Sequence, residues 1–223
     1  MRLAHFDIDY VFDFDKQNTT YSLVIENSMQ YFNLVKQLID QNNGKQGGGW
    51  ILSQIDKELS LQDNVVCVYN FFDLNLNSKK IESVINNEVL KVIKEKDLLR
   101  EFEDLSKLVL KINDEILSNI DLPIDSSDDI TYENFIKLSN YKITEEIDIL
   151  NKIVTYVDLF VKLKNIKLVI LVDCFAVLSE QDMQKLLKQF NYMDCNVLLI
   201  NSQNKYTFND VKKCIIDEDL CII

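Results

Sequence analysis

Glycine and proline are scarce in this chain of 223 residues, which has four glycines and one proline. All four glycines lie between positions 44 and 49, so collagen-like and glycine-rich low-complexity classes are excluded. No apolar stretch approaches the roughly 20 residues that a membrane-spanning helix needs. Residues 1–15 carry alternating aspartates instead of a basic and apolar leader, so we expect a cytoplasmic protein without a membrane partner.

A single histidine and five cysteines also restrict the chemistry. Hydrolytic triads need a histidine beside a nucleophile, and the only histidine, His5, is expected to be an ordinary residue of a strand with one wet face. The cysteines have no C-x-x-C spacing and are odd in number, which excludes a zinc site and a disulfide framework. Cys67, Cys174 and Cys221 lie in apolar runs, where we expect core packing. Nothing in the sequence specifies an enzyme.

The charge is strongly acidic, with 24 basic and 36 acidic side chains and a formal net charge of -12. Such a balance argues at first against nucleic acid, because polyphosphate binding usually accompanies a basic domain. The distribution of the charges along the chain weakens this argument against nucleic acid. Residues 113–148 hold ten acids and two lysines, a local charge of -8, whereas 16–112 and 149–223 sum to -1 and 0. The acidic segment is either a solvated surface or a site for a hard cation.

Five carboxylates of this segment fall within thirteen residues, and such crowding is costly without a counterion. Calcium takes about six to eight oxygen ligands and tolerates irregular geometry. The segment lacks the D-x-[DN]-x-[DN]-G pattern of an EF-hand. The candidate calcium ligands are Asp121, Asp125, Asp128, Asp129 and Glu133.

The two ends of the chain predict a mixed domain. Residues 3–14 alternate apolar and acidic side chains, as in a half-buried strand or hairpin. A helix capped by Asn27 or Ser28 follows a short apolar run and ends in a polar loop, 41–49. The remaining expected strands are 21–25, 50–55, 65–69, 168–172, 197–200 and 220–223, and further helices begin at a Ser179 cap and span 208–214. Strands separated by helices indicate a largely parallel sheet.

The middle of the chain predicts helices. Residues 78–120 contain no glycine or proline, and from Leu98 to Ile116 the apolar positions recur at coiled-coil spacing. A short helix over 131–138 and a long one from a Thr144 cap follow. We therefore predict a discontinuous α/β head domain, 1–76 and 164–223, with an inserted helical leg domain, 77–163.

Val169–Asp173 resembles a Walker B strand, in which an aspartate follows a buried strand. Its partner, a G-x-x-x-x-G-K-[ST] loop, is missing, since the turn after 21–25 reads Glu26, Asn27, Ser28. The glycine cluster follows a helix instead of opening one, so we expect a flexible loop there. The sheet thus resembles that of a nucleotide-binding fold whose phosphate-binding loop is missing, and nucleotide hydrolysis is not expected.

Lysines near these strands are candidates for contact with DNA, although scattered lysines are also typical of a solvated surface. The candidates are Lys36, Lys45, Lys57, Lys162 and Lys164.

Five segments, taken in order, resemble one family. They are L-V-I-E-N at 23–27, D-L-N-L-N at 73–77, D-L-P-I-D with D-D-I-T at 121–131, K-L-V-I-L-V-D-C-F-A-V-L-S-E-Q-D at 167–182 and I-I-D-E-D-L-C-I-I at 215–223. The family is the ring-forming, DNA-end-binding adaptation protein of type II-A CRISPR systems, in its short form. Asp121, Asp125 and an acid at Asp128 or Asp129 fall where the family has carboxylates.

The resemblance implies a degenerate P-loop-like head, a helical leg and a homotetrameric ring. It further implies calcium-dependent, sequence-independent binding of linear double-stranded DNA through the central hole, without catalysis. The protein would serve spacer acquisition in antiviral defence together with the CRISPR integrase proteins and the effector nuclease. Two other classes stay open: a degenerate nucleotide-binding protein and an oligomeric interaction scaffold.

Overall fold

A computed structural model describes residues 1–14, 18–55, 57–126, 130–144 and 148–223. The chain divides into two compact units, Met1–Leu76 with Glu145–Ile223, and Asn77–Thr144. The domain boundary predicted at residue 163 differs from this division. Helix Ile149–Lys164 belongs to the first unit, where it packs against helix Glu180–Tyr192.

The elements are numbered in chain order. The first part of the chain forms β1 (Arg2–His5), β2 (Ile8–Asp13), β3 (Thr20–Ile25), α1 (Ser28–Asn42), β4 (Trp50–Gln54), β5 (Lys57–Leu59), α2 (Leu61–Asn64) and β6 (Val65–Val68). The middle forms α3 (Lys79–Glu95), α4 (Leu99–Ser118) and α5 (Tyr132–Ser139). The last part forms α6 (Ile149–Lys164), β7 (Leu168–Val172), a 3-10 turn (Cys174–Ala176), α7 (Glu180–Tyr192), β8 (Asn196–Asn201) and β9 (Val211–Ile216).

A five-stranded parallel sheet with the order β6-β7-β8-β3-β9 is the centre of the first unit. Every residue of β7 and β8 is buried, as expected for strands covered on both faces. The predicted mixed α/β architecture and the largely parallel sheet are confirmed.

One face of this sheet is covered by α1 and by a four-stranded antiparallel sheet, β2-β1-β4-β5. Leu34 and Leu38 of α1 share one hydrophobic core with Leu52 of the antiparallel sheet and with Leu23 and Ile170 of the parallel sheet. The predicted hairpin at 3–14 is confirmed as the pair β1 and β2.

The opposite face is covered by α6 and α7. The crossover from β3 through α1 to β6 and the crossover from β7 through α7 to β8 run along the sheet in opposite directions. Since both crossovers follow the right-handed rule, α1 and α7 lie on opposite faces. We call the α1 side the front and the α7 side the back, and α6, which contacts α7, lies on the back.

Three local predictions were wrong. Residues 208–214 were expected to be a helix, but β9 pairs with β3 from Val211 onward, because the edge of the parallel sheet offers a backbone partner. The strand expected at 220–223 is replaced by a turn and a single bridge between Ile216 and Ile222. The α6 helix is capped by Asp148, which accepts from Asn151 N–H at 3.1 Å, and not by Thr144.

The cysteine and histidine environments also differ from the expectation. Cys221 is exposed in the segment that folds back on β9 after the turn, whereas Cys195 and Cys214 join Cys67 and Cys174 inside the protein. His5 is only 4% exposed, because α1 and Trp50 cover the face of β1 that was expected to be wet.

The second unit contains α3, α4 and α5. The helix predicted over 78–120 is interrupted between α3 and α4, where Asp97 adopts a left-handed φ of 49°. One hydrophobic cluster of this unit contains Ile93, Phe102 and Ile136, and the rings of Phe102 and Tyr132 meet edge to face at 4.6 Å. Within the described residues, no helix is both long and apolar enough to cross a membrane.

Candidate nucleic-acid interface and acidic loop

The glycine-rich loop, residues 43–49, begins with a Schellman motif at the end of α1. Gly44 has a φ of 81°, its N–H donates to Gln41 O at 3.0 Å, and Lys45 N–H donates to Asp40 O at 3.0 Å. Glycine at 44 supplies the left-handed conformation that this motif requires. The end of the helix therefore fixes the backbone position of Lys45.

The other end of the loop is held by side chains of α1. Gln37 Oε1 accepts from Gly49 N–H at 2.7 Å. Gln41 uses both ends of its amide on Trp50, because Nε2 donates to Trp50 O at 2.9 Å and Oε1 accepts from Trp50 N–H at 3.1 Å. The loop is anchored at both ends, which the expectation of a flexible loop did not foresee.

Three of the five candidate DNA-binding lysines lie on the front, and we call Lys36, Lys45 and Lys57 the front lysines. Lys36 is exposed on α1, with Nζ 5.8 Å from the centre of the Phe32 ring. Lys45 Nζ donates to Asp40 Oδ1 at 2.7 Å. Lys57 is exposed at the start of β5.

The other two candidates, Lys162 and Lys164, lie on the back, and we call them the back lysines. Both are exposed in the last turn of α6. Lys162 Nζ donates to Asp158 Oδ2 at 2.6 Å, and Lys164 Nζ lies 5.9 Å from the centre of the Phe160 ring. The structure therefore places the five predicted lysines in two sets separated by the parallel sheet.

The carboxyl edge of the parallel sheet is the usual ligand position in open α/β folds. Here Asp173 follows β7 with a φ of 57°, and its Oδ1 accepts from Ser202 Oγ at 3.2 Å. Burial and the charge of Asp173 raise the pKa of Tyr31. Burial also raises the pKa of the Cys174 thiol to about 12, so that thiol is protonated at neutral pH.

The connection between β3 and α1 at this edge consists of Glu26 and Asn27. It is too short for a phosphate-cradling loop. Asn27 Oδ1 accepts from Gln30 N–H at 3.0 Å, so the helix start is capped by its own side chain at the position where a phosphate would bind.

The acidic loop is described in part. Asp121, Asp125 and Glu133 are exposed, and Asp125 Oδ1 accepts from Ser126 N–H at 2.9 Å. The predicted ligands Asp128 and Asp129 lie outside the described residues. Among the residues that the structure describes, no group of three or more His, Cys, Asp or Glu side chains is placed to hold a metal ion. The described carboxylates do not form a cation site by themselves, and the calcium site stays a prediction.

Sequence reasoning missed the side chains that anchor the glycine-rich loop, namely His5, Gln37 and Gln41. The available signal was the pair of glutamines four residues apart on the helix that precedes the loop. Residues with this spacing share one helix face, so two amides directed at the same loop could have been inferred.

These features define a mixed α/β protein with a second, helical unit and with exposed lysines on both faces of its parallel sheet. A family model described as CRISPR-associated protein (Cas_Csn2) matches residues 40–220, which is more than half of the chain. The chain belongs to this family of type II-A CRISPR-associated proteins, and the family predicted from the sequence motifs is confirmed. No curated protein matches the chain at a significant level.

Proposed function

We propose that this protein binds the ends of linear double-stranded DNA during spacer acquisition by a type II-A CRISPR system and catalyses no reaction itself. Its family supports the role in CRISPR immunity. The observation that supports the DNA-binding part is the exposure of Lys36, Lys45 and Lys57 on the front, with Lys45 in the anchored glycine-rich loop. The proposed setting is the cytoplasm, with the CRISPR integrase proteins and the effector nuclease as partners.

The proposed binding is electrostatic. Lysines neutralise phosphates and release counterions, so affinity does not depend on base sequence and falls steeply with salt. The loop backbone supports close approach of a phosphate, because a Cβ added at Gly47 would meet no atom of the described residues within 4 Å. We propose that the front lysines contact the duplex directly and that the back lysines add to the positive electrostatic potential around the protein.

The proposed assembly is a homotetrameric ring with the duplex in its central hole. The front and back lysines lie on opposite faces of one sheet, so a straight duplex against one face of a single chain meets one set only. Several copies around a duplex would surround it with front lysines. In this proposal the first unit is a head that resembles a P-loop ATPase without Walker A, and the helical unit is an inserted leg.

Self-association is supported by an apolar stripe on α4. Its residues are half-buried or exposed, although their helical spacing places them on one face. The stripe consists of Leu105, Leu108, Val109, Ile112 and Ile116. The structure describes the whole of α4, and Phe102 is its only buried residue. The helix therefore offers this face to a partner, and we propose a second copy of the chain.

Calcium is part of the same proposal. Asp121, Asp125 and Glu133, together with Asp128 and Asp129, would supply the oxygen ligands that calcium prefers. Binding would offset part of the local charge of -8 in residues 113–148. Neutralising that charge would reduce repulsion between copies and between protein and DNA.

The decisive experiment compares one plasmid in two forms, sealed circle and singly cut linear, in a binding titration over a range of salt. A closed ring loads over an end, so we expect salt-dependent binding to the linear form only. A third arm blocks both ends of the linear form with bulky caps. We expect the capped form not to bind, like the sealed circle. Equal affinity for linear and circular DNA would contradict the ring.

The same titration is repeated with calcium and with a chelator, alongside light scattering. We expect the chelator to weaken both assembly and binding to linear DNA. The matched variant is Asp121→Asn with Asp125→Asn, which should reproduce the effect of the chelator in the presence of calcium. If neither treatment changes assembly or binding, the calcium part of the proposal is wrong while the DNA part stands.

Two observations favour other functions. Asp173 with Ser202 at the sheet edge favours a nucleotide-binding protein, which would bind ATP with magnesium in an equilibrium titration. The stripe on α4 alone favours an interaction scaffold, which would form oligomers without salt-dependent DNA binding. Under our proposal ATP does not bind and linear DNA does.

A further inference from the structure

We infer that Gln37 and His5 are positioning residues that hold the glycine-rich loop in its DNA-binding conformation, and that they act on DNA affinity together with Lys45. This inference rests on the proposed DNA-binding function. Neither residue is among the five candidate DNA contacts. Their role follows from the hydrogen bonds that they make beneath the loop.

Gln37 Oε1 is shared between two partners. It accepts from Gly49 N–H at 2.7 Å and lies 3.0 Å from His5 Nε2. The tautomer of His5 is set on the other side of the ring, where Nδ1 accepts from Asp7 N–H at 3.1 Å. Nε2 therefore carries the proton and donates to Gln37, which completes a chain from β1 through α1 to the loop.

Packing fixes the imidazole in this chain of hydrogen bonds. His5 is 4% exposed, and its ring meets the Trp50 ring at 5.0 Å in an edge contact. A Cβ added at Gly49 would overlap the imidazole, so the loop backbone lies directly on the ring. Glycine at 49 is required by this close approach.

The loop needs such an anchor because its own residues are conformationally free. Gly47 and Gly48 have φ values of 90° and 102°, and glycine loses more conformational freedom on ordering than other residues. The Schellman motif fixes Lys45 from one side only. Anchoring Gly49 fixes the other side, so the loop meets a phosphate in one arrangement and loses less entropy on binding.

Two variants test the anchor. Gln37→Leu removes the acceptor for both Gly49 N–H and His5 Nε2. His5→Phe keeps an aromatic ring against Gly49 but removes the donor to Gln37 and the acceptor for Asp7 N–H. The matched control is Asn33→Leu, an exposed position one turn earlier on α1. Hydrogen exchange of a peptide spanning 43–50, measured without DNA, should rise strongly in Gln37→Leu, less in His5→Phe and not in Asn33→Leu. Unchanged exchange in Gln37→Leu would overturn the anchor.

A double-mutant cycle tests the link to DNA. We expect Lys45→Ala and Gln37→Leu each to weaken binding to linear duplex several-fold and to flatten the salt dependence. The log-log slope should fall by about 0.9 for each phosphate that the protein no longer neutralises. In the Lys45→Ala background, Gln37→Leu should cause little further weakening. Additive effects would show that Gln37 acts apart from Lys45 and would overturn the inference.

The outcomes separate the inference from the function on which it rests. If the wild-type protein does not bind linear DNA, the proposed function fails whatever the hydrogen exchange shows. If wild type binds and Lys45→Ala weakens binding, but Gln37→Leu binds like wild type, the function stands and the positioning role is wrong. Unfolding midpoints and oligomer masses of all variants exclude a general loss of folding as the cause.

Discussion

Lys45 is bonded twice to Asp40, once through its backbone and once through its side chain. Its N–H donates to Asp40 O at 3.0 Å, and its ammonium donates to Asp40 Oδ1 at 2.7 Å. The first bond belongs to the helix end and orders the loop, whereas the second competes with any phosphate for the charge of Lys45. Asp40 thus positions the backbone of Lys45 and also competes with DNA for the charge of its side chain.

Asp40→Asn should therefore increase affinity for linear duplex. The backbone bond remains and the competing carboxylate charge is removed. An exposed ion pair contributes up to about 1 kcal/mol, which corresponds to an increase of up to about fivefold. Fluorescence anisotropy with a labelled linear duplex measures the change. The control is Asp158→Asn, which frees Lys162 on the back from its bond of 2.6 Å.

The comparison of these two variants tests our assignment of the front lysines. A larger gain for Asp158→Asn than for Asp40→Asn would mean that the back faces the duplex. Equal affinity of Asp40→Asn and wild type at low salt would show that Lys45 does not contact the DNA.

Gly49→Ala should destabilise the protein, because its methyl group would overlap the imidazole of His5. Overpacking of this kind costs about 1–3 kcal/mol. Urea unfolding measures the destabilisation, and the control is the same change in a His5→Ala background, where the space is vacant. We expect the cost of Gly49→Ala to be smaller there. The same cost in both backgrounds would show that the overlap with His5 is not its cause.

The sequence predicted those parts of the fold that local pattern determines. The five apolar residues of β7 are buried on both faces, and Asn27 and Ser179 cap helices by bonds to residues three positions ahead. The strand β9 was mistaken for a helix because Phe208, Val211 and Cys214 recur at a spacing of three. Its pairing with β3, almost 200 residues away in sequence, decided the structure.

The candidate site, like the fold, was predictable only where local sequence determines it. The exposure of the lysines follows from their charge, but their division into front and back depends on the strand order of the sheet. The anchor of the glycine-rich loop joins β1, α1 and the loop. The spacing of Gln37 and Gln41 places both amides on one helix face, but the contact of Gln37 with His5 on β1 depends on the tertiary structure.

Ile112→Lys on α4 should weaken self-association without unfolding the helical unit. Ile112 is 49% exposed and lies at the centre of the apolar stripe, so a charge there would be buried if copies pack along it. Multi-angle light scattering at several concentrations measures the mass. The control is Asp114→Asn, which changes the charge by the same amount away from the stripe. An unchanged mass for Ile112→Lys would exclude the stripe as the interface.

The start of α7 should give a pH-dependent contribution to stability. Ser179 Oγ accepts from Asp182 N–H at 3.2 Å and donates to Asp182 Oδ2 at 2.7 Å, while Lys185 Nζ donates to Asp182 Oδ1 at 3.1 Å. The bond from Ser179, followed by that from Lys185, lowers the pKa of Asp182 from its ordinary 3.8. Because the folded-state pKa is the lower one, this contribution is complete above 3.8 and is lost as the pH falls through the lowered value.

Asp182→Asn should accordingly be less stable than wild type near neutral pH and equally stable in acid, once the wild-type carboxyl is protonated in both states. Urea unfolding at a series of pH values below neutrality measures the difference. Ser179→Ala removes the main cause of the lowered pKa and the helix cap, so it should cost about 1 kcal/mol near neutral pH and reduce the pH dependence. If the difference between Asp182→Asn and wild type were the same at every pH, the charge of Asp182 would not stabilise this helix.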